Sequence, residues 1–239
     1  MLERLKDQVL EANLELVKKN LVISTWGNVS GFDKDSRLIV IKASGVHYDQ
    51  MEARHMVVVD LEGKVVEGEY RPSTDTPTHI ELYKKFMKDG YDLSGVVHTH
   101  SPFATTWAQL GKDIPPLGTT HIDYFYGPIP CTRLMTKEEI DGEYEKNTGR
   151  VIIERFEEDS IQFNEMQAVL VHSHGPFTWG KTPIDAVTHS LVLEYISKMA
   201  CFDELLSNGK IPLIQEALEN KHYNRKFGKD AYYGQITEI

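Results

Sequence analysis

Two His-x-His pairs carry residue types and spacing that could do chemistry: His98 with His100, and His172 with His174. Each follows a short β-rich run, Gly95-Val96-Val97 in one case and Ala168 to Val171 in the other, and each precedes a Gly/Pro break. Side chains two apart on a strand point the same way, so such a pair can put two imidazoles on one side of a strand terminus, where they suit a metal. Three imidazoles with one open position describe a Lewis-acid zinc site, which a nearby carboxylate can close when substrate is absent. Asp75, at a helix start ahead of the first pair, is a candidate for that carboxylate. The plain alternative for any single histidine is a strand cap or a hydrogen-bonded core residue; two pairs in the same local setting weigh against it. His79, His121, His174, His189 and His222 read as supporting or surface residues, and His47 and His55 as loop residues.

The elements that must position these groups follow from periodicity. Leu2, Leu5, Val9, Ala12 and Leu16 recur at helical spacing and predict an amphipathic opening helix over 2–19. Short β-rich pieces follow at 37–41, 56–61 and 64–67 with turn residues between them, which reads as hairpins. Asp75-Thr76-Pro77 opens a helix that stops at Gly90. A buried strand at 95–98 leads to a helix start at Ser101-Pro102. The strand at 168–172 leads through a Gly-Pro loop to Thr182-Pro183-Ile184-Asp185 and a helix over 183–206. Residues 97–103 and 171–177 agree at five of seven positions, which reads as two strand ends built to one chemical demand.

Composition narrows the classes. At 239 residues the chain can close one sizeable core. Its 36 acidic against 26 basic residues give a net charge of -10, which argues against nucleic acid as a partner. The apolar runs are too short for a membrane span or a signal peptide. Two distant cysteines support no disulfide framework, so a reducing, cytoplasmic setting is expected. Residues 175–182 satisfy the phosphate-loop pattern G-x-x-x-x-G-K-[ST]. The bulk of Pro176, Phe177 and Trp179 argues against it, because a phosphate cradle needs converging backbone N–H groups. Three short polar turns could instead bind an anion: 27–30, 42–45 and 71–74. Each alone is an ordinary turn composition.

The combination resembles the class II aldolase family, and within it the pentulose-phosphate 4-epimerases, essentially end to end. The carrying segments are Thr25-Trp26-Gly27-Asn28-Val29-Ser30, Lys42 to Gly45, Ser73 to His79, Val97 to Ser101, Thr119 to Pro130, Val169 to Lys181 and Ala231 to Gln235. The resemblance implies a three-layer α/β/α fold around a central, largely antiparallel sheet, with residues 1–239 as one domain. It also implies a four-fold symmetric homotetramer with active sites at subunit interfaces. On the matching positions it implies zinc, or another divalent metal, on His98, His100 and His172 with Asp75 beside them. Gly27, Asn28, Ser44, Gly45, Ser73 and Thr74, with Lys42 nearby, match the loops that bind a sugar phosphate. Asp123 and Tyr233 match an acid/base pair supplied by the adjoining subunit. The related sugar-phosphate aldolases have Glu as a base where this chain has Asp75, so Asp favours an epimerase acting on L-ribulose 5-phosphate and D-xylulose 5-phosphate. The alternatives are an aldolase or dehydratase of the same family and a non-catalytic, adducin-like interaction module.

Overall fold

The computed structural model describes residues 2–229, 231 and 232. Helix α1 (Glu3–Lys18) buries Val9, Ala12 and Leu16 along one stripe, as the spacing of its apolar residues requires. Strands β1 (Asn28–Asp33), β2 (Leu38–Lys42), β3 (Met56–Val59) and β4 (Val65–Glu67) follow. Next come α2 (Thr76–Lys88), β5 (Gly95–His98), α3 (Pro102–Leu110) and the short helices α4 (Thr119–Ile122) and α5 (Lys137–Asp141). The described chain ends with α6 (Tyr144–Glu158), β6 (Ala168–Val171), β7 (Gly175–Gly180), α7 (Pro183–Ser207) and α8 (Glu216–Phe227).

These strands form a seven-stranded sheet in the order β4-β3-β2-β1-β5-β7-β6, with neighbours antiparallel throughout. Helices cover both faces. Ile39, Ile41, Val57 and Val59 cluster with Ile80, Tyr83 and Phe86 of α2 and Ile152 and Phe156 of α6. Val40 and Val58 belong to a separate cluster with Val9 of α1, while Val29 and Val97 meet Leu16, Ala186 and Val187 of α1 and α7. Two-sided burial explains why β2 and β3 are almost unbroken apolar runs rather than alternating ones. The three-layer architecture with an antiparallel sheet is the one expected.

The pairing register brings the chemically interesting residues to one edge. Asn28, the first residue of β1, lies opposite His98, the last of β5. Phe177 of β7 lies opposite His98 on the other side, and Lys42 closes β2. The segments before β1, after β2, after β5 and between β6 and β7 therefore leave the sheet at the same end.

One expectation fails in detail. Residues 175–180, expected as a Gly-Pro loop, are strand β7, paired with β5 and with β6. Gly175, Pro176 and Gly180 look like turn residues, but Gly180 serves close packing: a Cβ there would lie 2.7 Å from the Ala186 nitrogen. The same strand settles the phosphate-loop pattern, because its backbone is extended and paired rather than curled into a cradle. Among the described residues no helix is long and apolar enough to cross a membrane.

Candidate metal and phosphate site

A cavity of about 400 Å3 opens at that sheet edge. Three histidines stand together in it: His98, His100 and His174, each offering a ring nitrogen, with those nitrogens all within 4.8 Å of one another. The ring centroids are 4.7 Å apart for His98–His100 and His98–His174 and 5.2 Å for His100–His174. His98 is oriented from behind, with Nδ1 3.0 Å from the Pro176 carbonyl oxygen. A carbonyl only accepts, so Nδ1 donates and Nε2 keeps its lone pair, 3.0 Å from Nε2 of His100. Phe177 stacks on the His98 ring at 4.2 Å and fixes its plane.

The third member corrects the expected ligand set. His172 is not in the cluster; it lines a different cleft with Trp107, Gly111 and Arg133. The cause is local: Ser173 has φ +60°, a left-handed residue that breaks strand alternation, so the period-two rule does not carry from His172 to His174. The resulting turn returns His174 to the β5 edge. His172 packs on Gly111, where a Cβ would come within 2.5 Å of the imidazole.

Asp75 immediately precedes α2, makes no side-chain capping bond to it, and lines the cavity with the triad. Asn28 Nδ2 donates to its Oδ2 at 2.6 Å and to Ser73 Oγ at 3.1 Å. Burial works to raise the Asp75 carboxyl, but the imidazoles of His98 and His79, the Asn28 amide and His174 outweigh it and hold it below its ordinary value. Burial is also the leading influence on His98, His100 and His174, and lowers all three. They are thereby kept neutral with lone pairs available, the form in which imidazole binds a metal. Neutral imidazoles crowded nitrogen to nitrogen beside an anionic carboxylate fit a divalent cation.

The three polar turns meet in the same cavity, whose lining includes Gly27, Asn28, Lys42, Ser44, Gly45, Ser73 and Thr74. Backbone bonds join two of them: Ser44 N donates to the Arg71 carbonyl and Ser73 N to the Lys42 carbonyl, both at 2.9 Å. Gly27 has φ +75°, and a Cβ there would fall 2.7 Å from Val22 and 2.9 Å from the His98 carbonyl, so only glycine fits. Lys42 is buried, donates to the Thr25 carbonyl at 3.0 Å and sits 5.1 Å above the Tyr48 ring. Burial pushes its ammonium down to about 8, against the opposing pull of Asp75.

Sequence reasoning did not single out Tyr144 and Glu145, which also line the cavity; the Tyr144 hydroxyl is 3.4 Å from His174 Nδ1. They begin α6, and nothing local marks them, because only packing of α6 against α2 brings them here. Asp123 lies apart from this lining: its carboxylate accepts from Arg225 at 2.7 and 2.9 Å, and His222 Nδ1 stands 3.1 Å away. Tyr233 lies outside the described residues.

A family model described as the class II aldolase and adducin N-terminal domain matches residues 7–201, and the chain belongs to this family. Solved structures share the fold. An L-fuculose 1-phosphate aldolase superposes with a TM-score of 0.75 at 22% identity, over 93% of this chain and 95% of that one. The L-fuculose-1-phosphate aldolase of Thermus thermophilus gives 0.66 at 21% identity, over 89% and 100%. YgbL from Escherichia coli, which carries a provisional aldolase/epimerase/decarboxylase description, gives 0.67 at 18% identity, over 92% and 98%. At these identities the likeness speaks for the fold alone.

Proposed function

We propose that this chain is a metal-dependent epimerase that interconverts L-ribulose 5-phosphate and D-xylulose 5-phosphate. The observation that carries the reading is a single cavity holding three clustered imidazoles, the Asp75 carboxylate and three anion-ready turns. That combination suits a small ketose with a phosphate at its far end.

The two sugars differ at carbon 4, whose hydrogen is one carbon too far from the ketone to be acidic. Cleaving the bond between carbons 3 and 4 is the better route. A base takes the proton of the carbon 4 hydroxyl, and the bonding pair moves toward carbon 2. An enediolate and glycolaldehyde phosphate result. Zinc, or another divalent metal, held by His98, His100 and His174 would supply Lewis-acid stabilisation of the charge gathering at the carbon 2 oxygen. Gly27, Asn28, Ser44, Gly45, Ser73, Thr74 and Lys42 keep the phosphate in place while the aldehyde turns and offers its opposite face. Bond re-formation and return of the proton to the new hydroxyl complete the exchange. Two epimers place that hydroxyl on opposite sides, which calls for two proton-transfer groups. We assign these to Asp123 and Tyr233 of an adjoining subunit in a homotetramer, and one catalytic domain to residues 1–239.

The second reading is a sugar-phosphate aldolase, favoured by the names of two similar structures. Incubating the metal-loaded protein with L-ribulose 5-phosphate separates the two. Formation of D-xylulose 5-phosphate without free aldehyde supports the epimerase. Stoichiometric release of glycolaldehyde phosphate supports the aldolase; no consumption of the sugar defeats the epimerase, and cleavage of L-fuculose 1-phosphate is then the test of the aldolase.

A further inference from the structure

The chain has three tryptophans. Trp107 and Trp179 are 2% and 0% exposed, and each indole N–H donates to a carbonyl, of Ser197 at 3.1 Å and of Phe163 at 2.7 Å. Trp26 is 55% exposed, yet its indole lines the metal and phosphate cavity, 5.7 Å from the His100 ring. The loop that presents it is held firmly. The Thr25 carbonyl accepts from Lys42 Nζ at 3.0 Å, and the Tyr48 hydroxyl reaches the Trp26 and Gly27 carbonyls at 3.0 and 2.9 Å. The Trp26 backbone N–H donates to the Ile23 carbonyl at 3.1 Å.

This hydrogen-bonded loop thus displays the largest aromatic side chain of a site whose other lining, apart from the Tyr144 ring beside His174, is hydroxyls, amides, imidazoles, glycines and charged groups. Hydrogen-bonding walls can grip the phosphate and the hydroxyls of a sugar, but they give no cover to its C–H bonds. An aromatic face supplies that cover and leaves the fragment it touches free to rotate.

We propose that the Trp26 indole is a substrate-stacking residue that closes over the carbon chain of the bound ketose phosphate and retains the aldehyde fragment after cleavage. This role rests on the function proposed above. Because the other two indoles are buried, collisional quenching by iodide reads Trp26 directly. In the metal-loaded protein without sugar, iodide should quench a red-edge emission that is absent in Trp26→Phe, and saturating L-ribulose 5-phosphate should protect it. Trp26→Ala should lower kcat/KM about tenfold, the worth of roughly 60 Å2 of apolar contact. It should also leak free glycolaldehyde phosphate that the wild type retains, while Trp26→Phe should restore most of both. An indole that stays quenchable while wild-type turnover proceeds would overturn the stacking role alone. So would an indole shielded before any sugar is added, which would show that another chain covers it, or Trp26→Ala with unchanged kcat/KM and no leak. Absence of turnover by the wild type would instead remove the reading of function, and the stacking role with it.

Discussion

Ser173, in the left-handed region at φ +60°, separates two histidines that sequence spacing treats as equivalent. His174 joins His98 and His100, whereas His172 faces Gly111 and Arg133. His174→Ala should therefore lose bound divalent metal and nearly all turnover, whereas His172→Ala should keep about one metal per chain, as atomic emission on dialysed protein would read. The motif was legible in the sequence, but the choice of its third member was not, because one backbone angle decides it. Lys42 makes a pH prediction. Burial lowers its ammonium to about 8, so the positive charge is present below that pH and is lost as pH rises through it. If that charge holds the substrate phosphate, KM should climb above pH 8, approaching about tenfold per pH unit as the ammonium is titrated away. Lys42→Met should show a raised KM without that dependence, as initial rates across pH 6.5 to 9.5 would reveal.

Strand β1 depends on a helix side chain as well as on its neighbours. Asn13 of α1 is fully buried; its amide donates to the Val9 and Val29 carbonyls at 2.8 and 3.2 Å, and its Oδ1 accepts from Val29 N at 3.0 Å. It thereby satisfies Val29, next to the Asn28 that holds Asp75, one residue before the β1–β2 pairing begins at Ser30. Asn13→Leu would strand both backbone groups of Val29 and should cost about 2–4 kcal/mol, measured as a lower urea midpoint with an unchanged slope. The opening helix, α2, β5 and β6 were readable from periodicity, Pro at a first turn and β-branched runs. Strand β7 was not, since its glycines and Pro176 carry turn signals while the position between β5 and β6 is fixed only by the folded sheet.

The site exists because the sheet register collects segments far apart in the chain, and that gathering has no local signature. Tyr144 and Glu145 reach it across the α2–α6 contact, and no spacing in the sequence could show it. On its outer side α7 exposes Tyr195, Phe202, Leu205 and Leu206. If Asp123 and Tyr233 serve a neighbouring subunit, His98→Asn and Tyr233→Phe chains, each inactive alone, should regain activity when co-expressed. Mixed oligomers as inactive as their parents would place Tyr233 in its own chain's chemistry or outside catalysis. The central claim, that this molecule epimerises by breaking and remaking a carbon–carbon bond, is tested most directly by running the reaction in D2O and reading carbon 4 of the D-xylulose 5-phosphate by NMR. Cleavage between carbons 3 and 4 leaves the carbon 4 hydrogen on the aldehyde throughout, so the product should contain no deuterium there; deuterium at carbon 4 would contradict the account.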